Sequence, residues 1–91
     1  MKFEWDEDKR LINIRKHDID FLDVKSIFEN DTVIIEDNRF NYNEQRWLAL
    51  GLLKGRVVVV VYTERKSSLR IISIRKGTQY EQRTYFEQIT N

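Results

Sequence analysis

The alternation of apolar and polar residues predicts short strands and amphipathic helices along the chain. Residues 3–6 alternate apolar and polar side chains, as a short strand does. An apolar stripe from Leu11 to Ile14 predicts a helix capped by Asp6 and ending near His17. A second helix is predicted to begin at Asp20, because the apolar residues that follow it recur at helical spacing.

The middle of the chain has the character of a sheet. Five consecutive valines, residues 57–61, are apolar on both faces and therefore belong in the centre of a sheet. The pair Lys54 and Gly55 predicts a tight hairpin before them. The predicted strands, in chain order, are Thr32–Ile35, Glu44–Leu53, Arg56–Tyr62 and Leu69–Arg75, with a polar loop at Glu36–Asn43.

The last segment predicts a C-terminal helix. Gly77 breaks the final strand, and Thr78 with Glu81 three residues on forms a capping box. The full order is β-α-α-β-β-β-β-α, which indicates a single α+β domain over residues 1–91. We expect an antiparallel sheet whose one face is covered by the two N-terminal helices, and whose other face is free for a ligand.

Composition limits the possible functions. The net charge of +1 and pI near 8.0 argue against a strong nonspecific nucleic-acid binder. Basic residues nevertheless outnumber the acids Glu64, Glu81 and Glu87 after position 54, so the C-terminal half favours an anionic ligand. The chain has no cysteine and a single histidine, so neither a metal site nor a cofactor is expected. No apolar stretch predicts a signal peptide or a membrane span, which favours a cytoplasmic protein.

Residues spread along nearly the whole chain carry a resemblance to a known family. They are Phe3-Glu4-Trp5-Asp6, Lys9, Asn13, Lys16-His17, Phe21, Phe28, Arg46, Gly51, Gly55-Arg56, Tyr62-Thr63-Glu64-Arg65, Arg70 to Lys76, Glu81 and Tyr85. On these residues the chain resembles the BrnT family of toxins, which have a RelE-like fold. Asp18 departs from the family pattern, which usually has glycine after the Lys-His pair.

The resemblance implies a toxin that cleaves RNA, arrests translation and is neutralised by a protein antitoxin. The antitoxin is expected to resemble BrnA, which carries a ribbon-helix-helix DNA-binding element. Operator DNA would then be bound only by the toxin–antitoxin complex, which would regulate its own operon.

Metal-independent RNA cleavage needs cations that hold the phosphate and a group that exchanges a proton. Arginine suits the first task, since its planar fork matches phosphate oxygens. Arg46 and Arg75 are near strand ends and are the predicted phosphate ligands, although each is equally explained as a solvated or ion-paired charge. His17 is the natural proton shuttle, but a histidine at a helix C-terminus is also favoured on electrostatic grounds alone.

The C-terminal helix offers two further candidates. Glu81 is interpreted as a base, as a support for an arginine, or as a capping carboxylate. Tyr85 is interpreted as a phosphate donor, as a stacking partner for a base, or as an aromatic that docks the helix. The predicted RNA-binding residues, each also explained by simple exposure, are Lys9, Lys16, Arg65, Arg70 and Lys76.

Two other functions compete with the ribonuclease. One is a noncatalytic interaction module that binds a partner through an exposed sheet face or edge. The other, direct DNA binding by this chain alone, is disfavoured by the near-neutral charge and by the lack of a helix-turn-helix pattern.

Overall fold

The structure is a computed structural model that describes residues 1–39, 41 and 43–90. It confirms the predicted α+β class and the predicted order of elements; the second predicted helix consists of a 3-10 turn followed by an α-helix. The elements are β1 (Phe3–Glu4), α1 (Glu7–His17), the 3-10 turn (Phe21–Asp23), α2 (Val24–Glu29), β2 (Val33–Glu36), β3 (Trp47–Leu53), β4 (Arg56–Glu64), β5 (Leu69–Lys76) and α3 (Gln79–Thr90).

The five strands form one sheet in the order β1-β5-β4-β3-β2. Strands β2 to β5 pair antiparallel, as predicted, but β1 pairs parallel with β5, so the sheet is mixed. The prediction of an antiparallel sheet is therefore confirmed for β2 to β5 and misses only the parallel pairing of β1. Its error lies in a two-residue strand whose partner is more than sixty residues away, and local alternation carries no information about such a pairing.

Both faces of the sheet are covered. On one face, Val58 and Val60 of β4 pack with Phe21 and Ile27 beneath the N-terminal helices. On the other face, alternate valines of β4 pack with Tyr85 of α3. The face predicted to be free is covered by α3 over β2, β3 and β4, because a strand that is apolar on both sides must bury both sides.

Two features of local backbone geometry shape the ends of β3. Lys54 and Gly55 both have positive φ, 51° and 78°, which is the type I′ hairpin that the sequence predicts. At the other end, β3 begins at Trp47 rather than at the predicted Glu44. Asn43 has φ 58°, so the chain turns immediately before Glu44, and the strand begins three residues later.

Gly51 of β3 allows helix α2 to approach the sheet closely. A Cβ atom at this position would lie 2.8 Å from Cγ2 of Ile27.

No helix in the described part of the chain is both long enough and apolar enough to cross a membrane.

The buried side chain of Asn13 joins α1 to the outer edge of β5. Its Nδ2 donates to the carbonyl oxygens of Ile19 and Ile74, each at 2.9 Å. Its Oδ1 accepts from the Ile74 amide at 3.1 Å. Because β1 pairs only with the first two residues of β5, the Ile74 amide and carbonyl would otherwise lack partners. Asn13 thus makes the hydrogen bonds to Ile74 that a neighbouring strand would otherwise make.

We predict that Asn13→Ala lowers the free energy of unfolding by about 3 kcal/mol, since it leaves three buried backbone groups without partners. Urea denaturation of the purified protein measures this loss. Asn30→Ala is the control, because its amide makes one exposed hydrogen bond to Ser26; we expect a change below about 0.5 kcal/mol. An equal loss in both variants would contradict the role assigned to Asn13.

Candidate active site

A basic depression of about 470 Å³ forms where the C-terminus of α1, the end of β5 and the N-terminus of α3 meet. Four of its side chains are those of lysine or arginine, and a fifth is that of a histidine. The depression is lined by Lys16, His17, Arg39, Arg75, Lys76 and Thr78. The structure therefore brings together four of the residues predicted from sequence: Lys16, His17, Arg75 and Lys76.

Arg75 is held in place by Glu81. Its Nη1 and Nη2 donate to the two carboxylate oxygens of Glu81 at 2.7 and 2.9 Å. Glu81 also accepts from the Thr78 amide at 2.8 Å, while Thr78 Oγ1 accepts from the Glu81 amide at 3.1 Å. The predicted capping box is confirmed, and the same carboxylate fixes the orientation of the arginine.

The ion pair determines the protonation state of Glu81. The hydrogen bonds from Arg75, aided by those from Thr78, lower the pKa of Glu81 to about 2 despite its partial burial. A carboxylate this weakly basic is a poor general base at neutral pH. Of the sequence interpretations of Glu81, the geometry favours capping and positioning over proton transfer.

His17 is the last residue of α1 and lines the depression directly. Burial first, and then the positive charges of Lys16 and Arg75, lower the pKa of His17 below its ordinary value of 6.5. This direction favours the neutral imidazole at pH 7, which is the form that can accept a proton.

Arg39 was not predicted as a site residue. It lies in the loop after β2 and reaches the depression because the buried carboxylate of Asp37 accepts from its Nε and Nη2 at 2.8 and 2.9 Å. The loop has no periodicity, so nothing in the sequence indicated where this side chain would lie. Both arginines of the depression are thus positioned by a carboxylate behind them.

Arg46 does not join Arg75. Arg75 is paired with Val59 of β4, whereas Arg46 directly precedes Trp47, which is paired with Tyr62. The two arginines are thus about 13 Å apart along the strands and about 10 Å across them. Arg46 lies 3.2 Å from Glu44 instead. The predicted convergence of these two guanidinium groups on one phosphate is wrong, because strand alternation fixes the face of a residue but not its position along the sheet.

Tyr85 belongs to the core rather than to the depression. It is 1% exposed and its hydroxyl donates to the Asp31 carbonyl at 2.9 Å. Burial raises the pKa of the Tyr85 phenol above its ordinary value of 10.0. Of the interpretations given to Tyr85, the geometry supports the docking of α3 on the sheet.

The remaining predicted RNA-binding residues lie away from the depression. Lys9 is in the first turn of α1, about 12 Å along the helix axis from His17. Arg70 donates to Glu4 at 2.9 Å, and Arg65 lies 3.9 Å from Glu44 at the opposite end of β4. These three cations take part in no common site with His17.

The fold and the depression together define a small α+β protein with a cationic depression that contains one histidine. A family model described as the ribonuclease toxin BrnT of a type II toxin–antitoxin system matches residues 5–81. The chain therefore belongs to the BrnT family of ribonuclease toxins. No curated protein sequence matches it.

We predict that Glu81→Gln destabilises the protein at neutral pH but has little effect near pH 2. The Glu81 pKa is lower in the folded state, about 2, than its ordinary value of 4.5. The carboxylate therefore stabilises the fold fully above the ordinary value, and this contribution disappears as the pH falls toward 2. With allowance for its partial exposure, we expect a loss of roughly 1–3 kcal/mol at pH 7 in urea denaturation.

Glu87→Gln is the matched control, because Glu87 is an exposed carboxylate on the same helix. We expect it to change the free energy of unfolding by less than about 0.5 kcal/mol at neutral pH. A Glu81→Gln deficit that stays constant down to pH 2 would show that packing, rather than the ion pair, is responsible.

The histidine can be titrated directly. His17 is the only histidine of the chain, so its ring protons give a single assignable set of NMR signals. We predict a pKa below 6.5, and a rise toward 6.5 in Lys16→Gln because one neighbouring positive charge is removed. Lys25→Gln removes a charge on α2 and should leave the titration unchanged. A wild-type pKa at or above 6.5 would contradict this description of the site.

Proposed function

We propose that this chain is a metal-independent endoribonuclease that cleaves RNA in the depression formed by α1, β5 and α3. The observation that carries the proposal is the placement of a neutral His17 beside Arg75, whose guanidinium is fixed by Glu81. A phosphate ligand and a proton acceptor are the two components that this reaction requires. Both are supplied by side chains of the chain itself.

In the proposed reaction, the 2′-hydroxyl of the substrate is the nucleophile. His17 accepts its proton as the 2′-oxygen attacks the neighbouring phosphorus, and a P–O2′ bond forms. The bond between phosphorus and the 5′-oxygen then breaks, and the leaving oxygen takes a proton from water, while the protonated His17 returns its proton to the solvent. The products are a 2′,3′-cyclic phosphate and a free 5′-hydroxyl.

Arg75 stabilises the negative charge that builds up on the phosphate oxygens in the transition state. Its pairing with Glu81 occupies two donors but also fixes the plane of the guanidinium, so less rotational freedom is lost when the substrate binds. Lys16 and Lys76 add charge around the phosphate. Neither lysine lies within 4 Å of a carboxylate in the part of the chain that the structure describes.

The membership of the BrnT family supports the biological context. We propose that RNA cleavage inhibits translation and that a BrnA-like ribbon-helix-helix antitoxin neutralises the toxin in the cytoplasm. The simplest mechanism is occlusion, in which the antitoxin covers the basic depression. The complex would then bind operator DNA through the antitoxin and regulate the operon.

We predict that Arg75→Ala reduces RNA cleavage at least tenfold, which corresponds to about 1.4 kcal/mol of transition-state stabilisation. Arg75→Lys keeps the charge but loses the planar fork, so we expect an intermediate rate. Cleavage of a labelled RNA by purified protein, in the presence of EDTA, measures both. Circular dichroism verifies that each variant is folded.

Lys25→Gln is the control, since it removes an exposed positive charge from α2 and should leave the rate unchanged. The proposal fails if antitoxin-free protein cleaves no RNA at any concentration, a result that would favour a noncatalytic interaction module instead. Activity that is abolished by EDTA and restored by a divalent metal would overturn the metal independence.

The antitoxin part of the proposal has its own test. We expect co-expression with the adjacent open reading frame to restore growth and to yield a co-purified complex. Protection of Lys16 and Lys76 from amine labelling in that complex would support occlusion of the depression. A complex that leaves both lysines fully reactive would contradict it.

A further inference from the structure

We propose that a second depression, beside the candidate active site, binds a nucleotide that flanks the scissile phosphate, with Phe86 as the platform on which its base stacks. The inference rests on the proposed ribonuclease function and extends it to the recognition of single-stranded RNA. It involves Arg56, Gln82 and Phe86, none of which the sequence analysis singled out as a site residue.

The second depression adjoins the first at Lys76. It has a volume of about 320 Å³ and lies between the first residues of β4, the end of β5 and the exposed side of α3. Lys76 lines both depressions, so one bound strand can pass from one to the other. Gly77 forms part of the floor, where its amide donates to the Val57 carbonyl at 2.9 Å. A Cβ at Gly77 would lie 3.0 Å from Cγ1 of Val57, so glycine allows these two residues to pack closely.

Phe86 supplies an exposed aromatic surface at this depression. Its side chain is 47% exposed, although α3 buries the neighbouring Tyr85 almost completely. Tyr85 contacts the Phe86 ring edge-on, with 5.3 Å between the ring centroids. A half-exposed aromatic ring beside a positively charged groove is the arrangement by which proteins bind single-stranded nucleic acids, because bases stack on the ring and phosphates follow the cations.

The charges that line the second depression favour a phosphate backbone, whereas the opposite side of Phe86 borders Arg83 and the carboxylate of Glu87. Arg56 and Lys76 line the depression, and no carboxylate lines it or lies within 4 Å of either cation among the described residues. Gln82 completes the wall, and its amide nitrogen donates to the Gly77 carbonyl at 3.1 Å. This bond orients the side chain, whose amide oxygen is of the type that accepts hydrogen bonds from base edges.

The alternative occupant is a protein, because an exposed aromatic residue also suits a protein–protein contact. A depression with two cations and a single aromatic side chain suits a nucleotide better than it suits an apolar anchor residue of a protein partner. A third depression, which shares Lys76 and Arg56, includes the carboxylates of Asp18 and Asp23. We therefore place the strand toward Phe86, away from those two acids.

The test measures binding of a short 2′-O-methyl RNA oligonucleotide, which lacks the nucleophilic hydroxyl and so cannot be cleaved by transesterification. We expect Phe86→Ala to weaken its binding about tenfold in fluorescence anisotropy, since one stacked base is lost. Phe86→Leu retains apolar volume but no ring and should show the same loss, whereas Phe86→Tyr should bind as the wild type does. Arg56→Gln should make the slope of log Kd against log salt shallower by about 0.7.

Two matched variants serve as controls. Tyr80→Ala removes a more exposed aromatic residue, 73% exposed, from the same helix but outside the depression. Lys66→Gln removes a turn cation at the opposite end of β4 from Arg56. Neither should change the binding of the oligonucleotide.

The outcomes separate this inference from the ribonuclease proposal. If the wild type cleaves RNA but the Phe86 variants bind the oligonucleotide unchanged, the flanking subsite is wrong and the nuclease stands. If the wild type cleaves nothing and yet binds the oligonucleotide through Phe86, the subsite stands and the nuclease fails. If Phe86→Ala weakens binding of the cognate antitoxin and not of the oligonucleotide, the surface is a protein contact and the subsite is rejected.

Discussion

The arrangement of the whole molecule depends on one buried amide, that of Asn13. Strand β5 has a partner on one side along its length, but β1 covers only its first two residues on the other. The Asn13 side chain completes this edge by bonding both the amide and the carbonyl of Ile74. Its hydrogen bond to the Ile19 carbonyl also fixes the position of the segment that follows α1. One side chain therefore fixes the distance between a helix end and a strand end, and these ends carry His17 and Arg75.

The covering of both faces of the sheet determines where a ligand can bind. With α1 and α2 on one side and α3 on the other, the apolar faces of β3 and β4 are used for stability. A ligand can bind at the rim of the sheet, where polar side chains at the ends of helices and strands are exposed to solvent. The rim near His17 also receives the positive end of α3, which favours an anion there. In this protein the helices shape the site, whereas the sheet supplies its support and Arg75.

The charges of the depression explain how it can be both stable and ready to bind a phosphate. Four cations around one histidine repel one another, which disfavours the fold. Glu81 behind Arg75 and Asp37 behind Arg39 offset half of this charge and fix both guanidinium groups. Burial, followed by the positive charges of Lys16 and Arg75, lowers the pKa of His17 and so favours its neutral imidazole. In the proposed reaction, a bound phosphodiester would relieve the same repulsion.

The sequence by itself determined the order of the elements, the central place of the valine strand, the capping box of α3 and the hairpin at Lys54 and Gly55. Each is set by neighbours within a few residues, where periodicity and turn chemistry act directly. Only the tertiary structure decided that Arg75 and not Arg46 lies beside His17, that Arg39 joins them, and that α3 covers the second face of the sheet. These outcomes depend on register along strands, on a loop without periodicity and on one asparagine that bonds to a residue sixty-one positions away. Such long-range pairings are determined by the packing of the whole chain, and they cannot be predicted from a local pattern of residues.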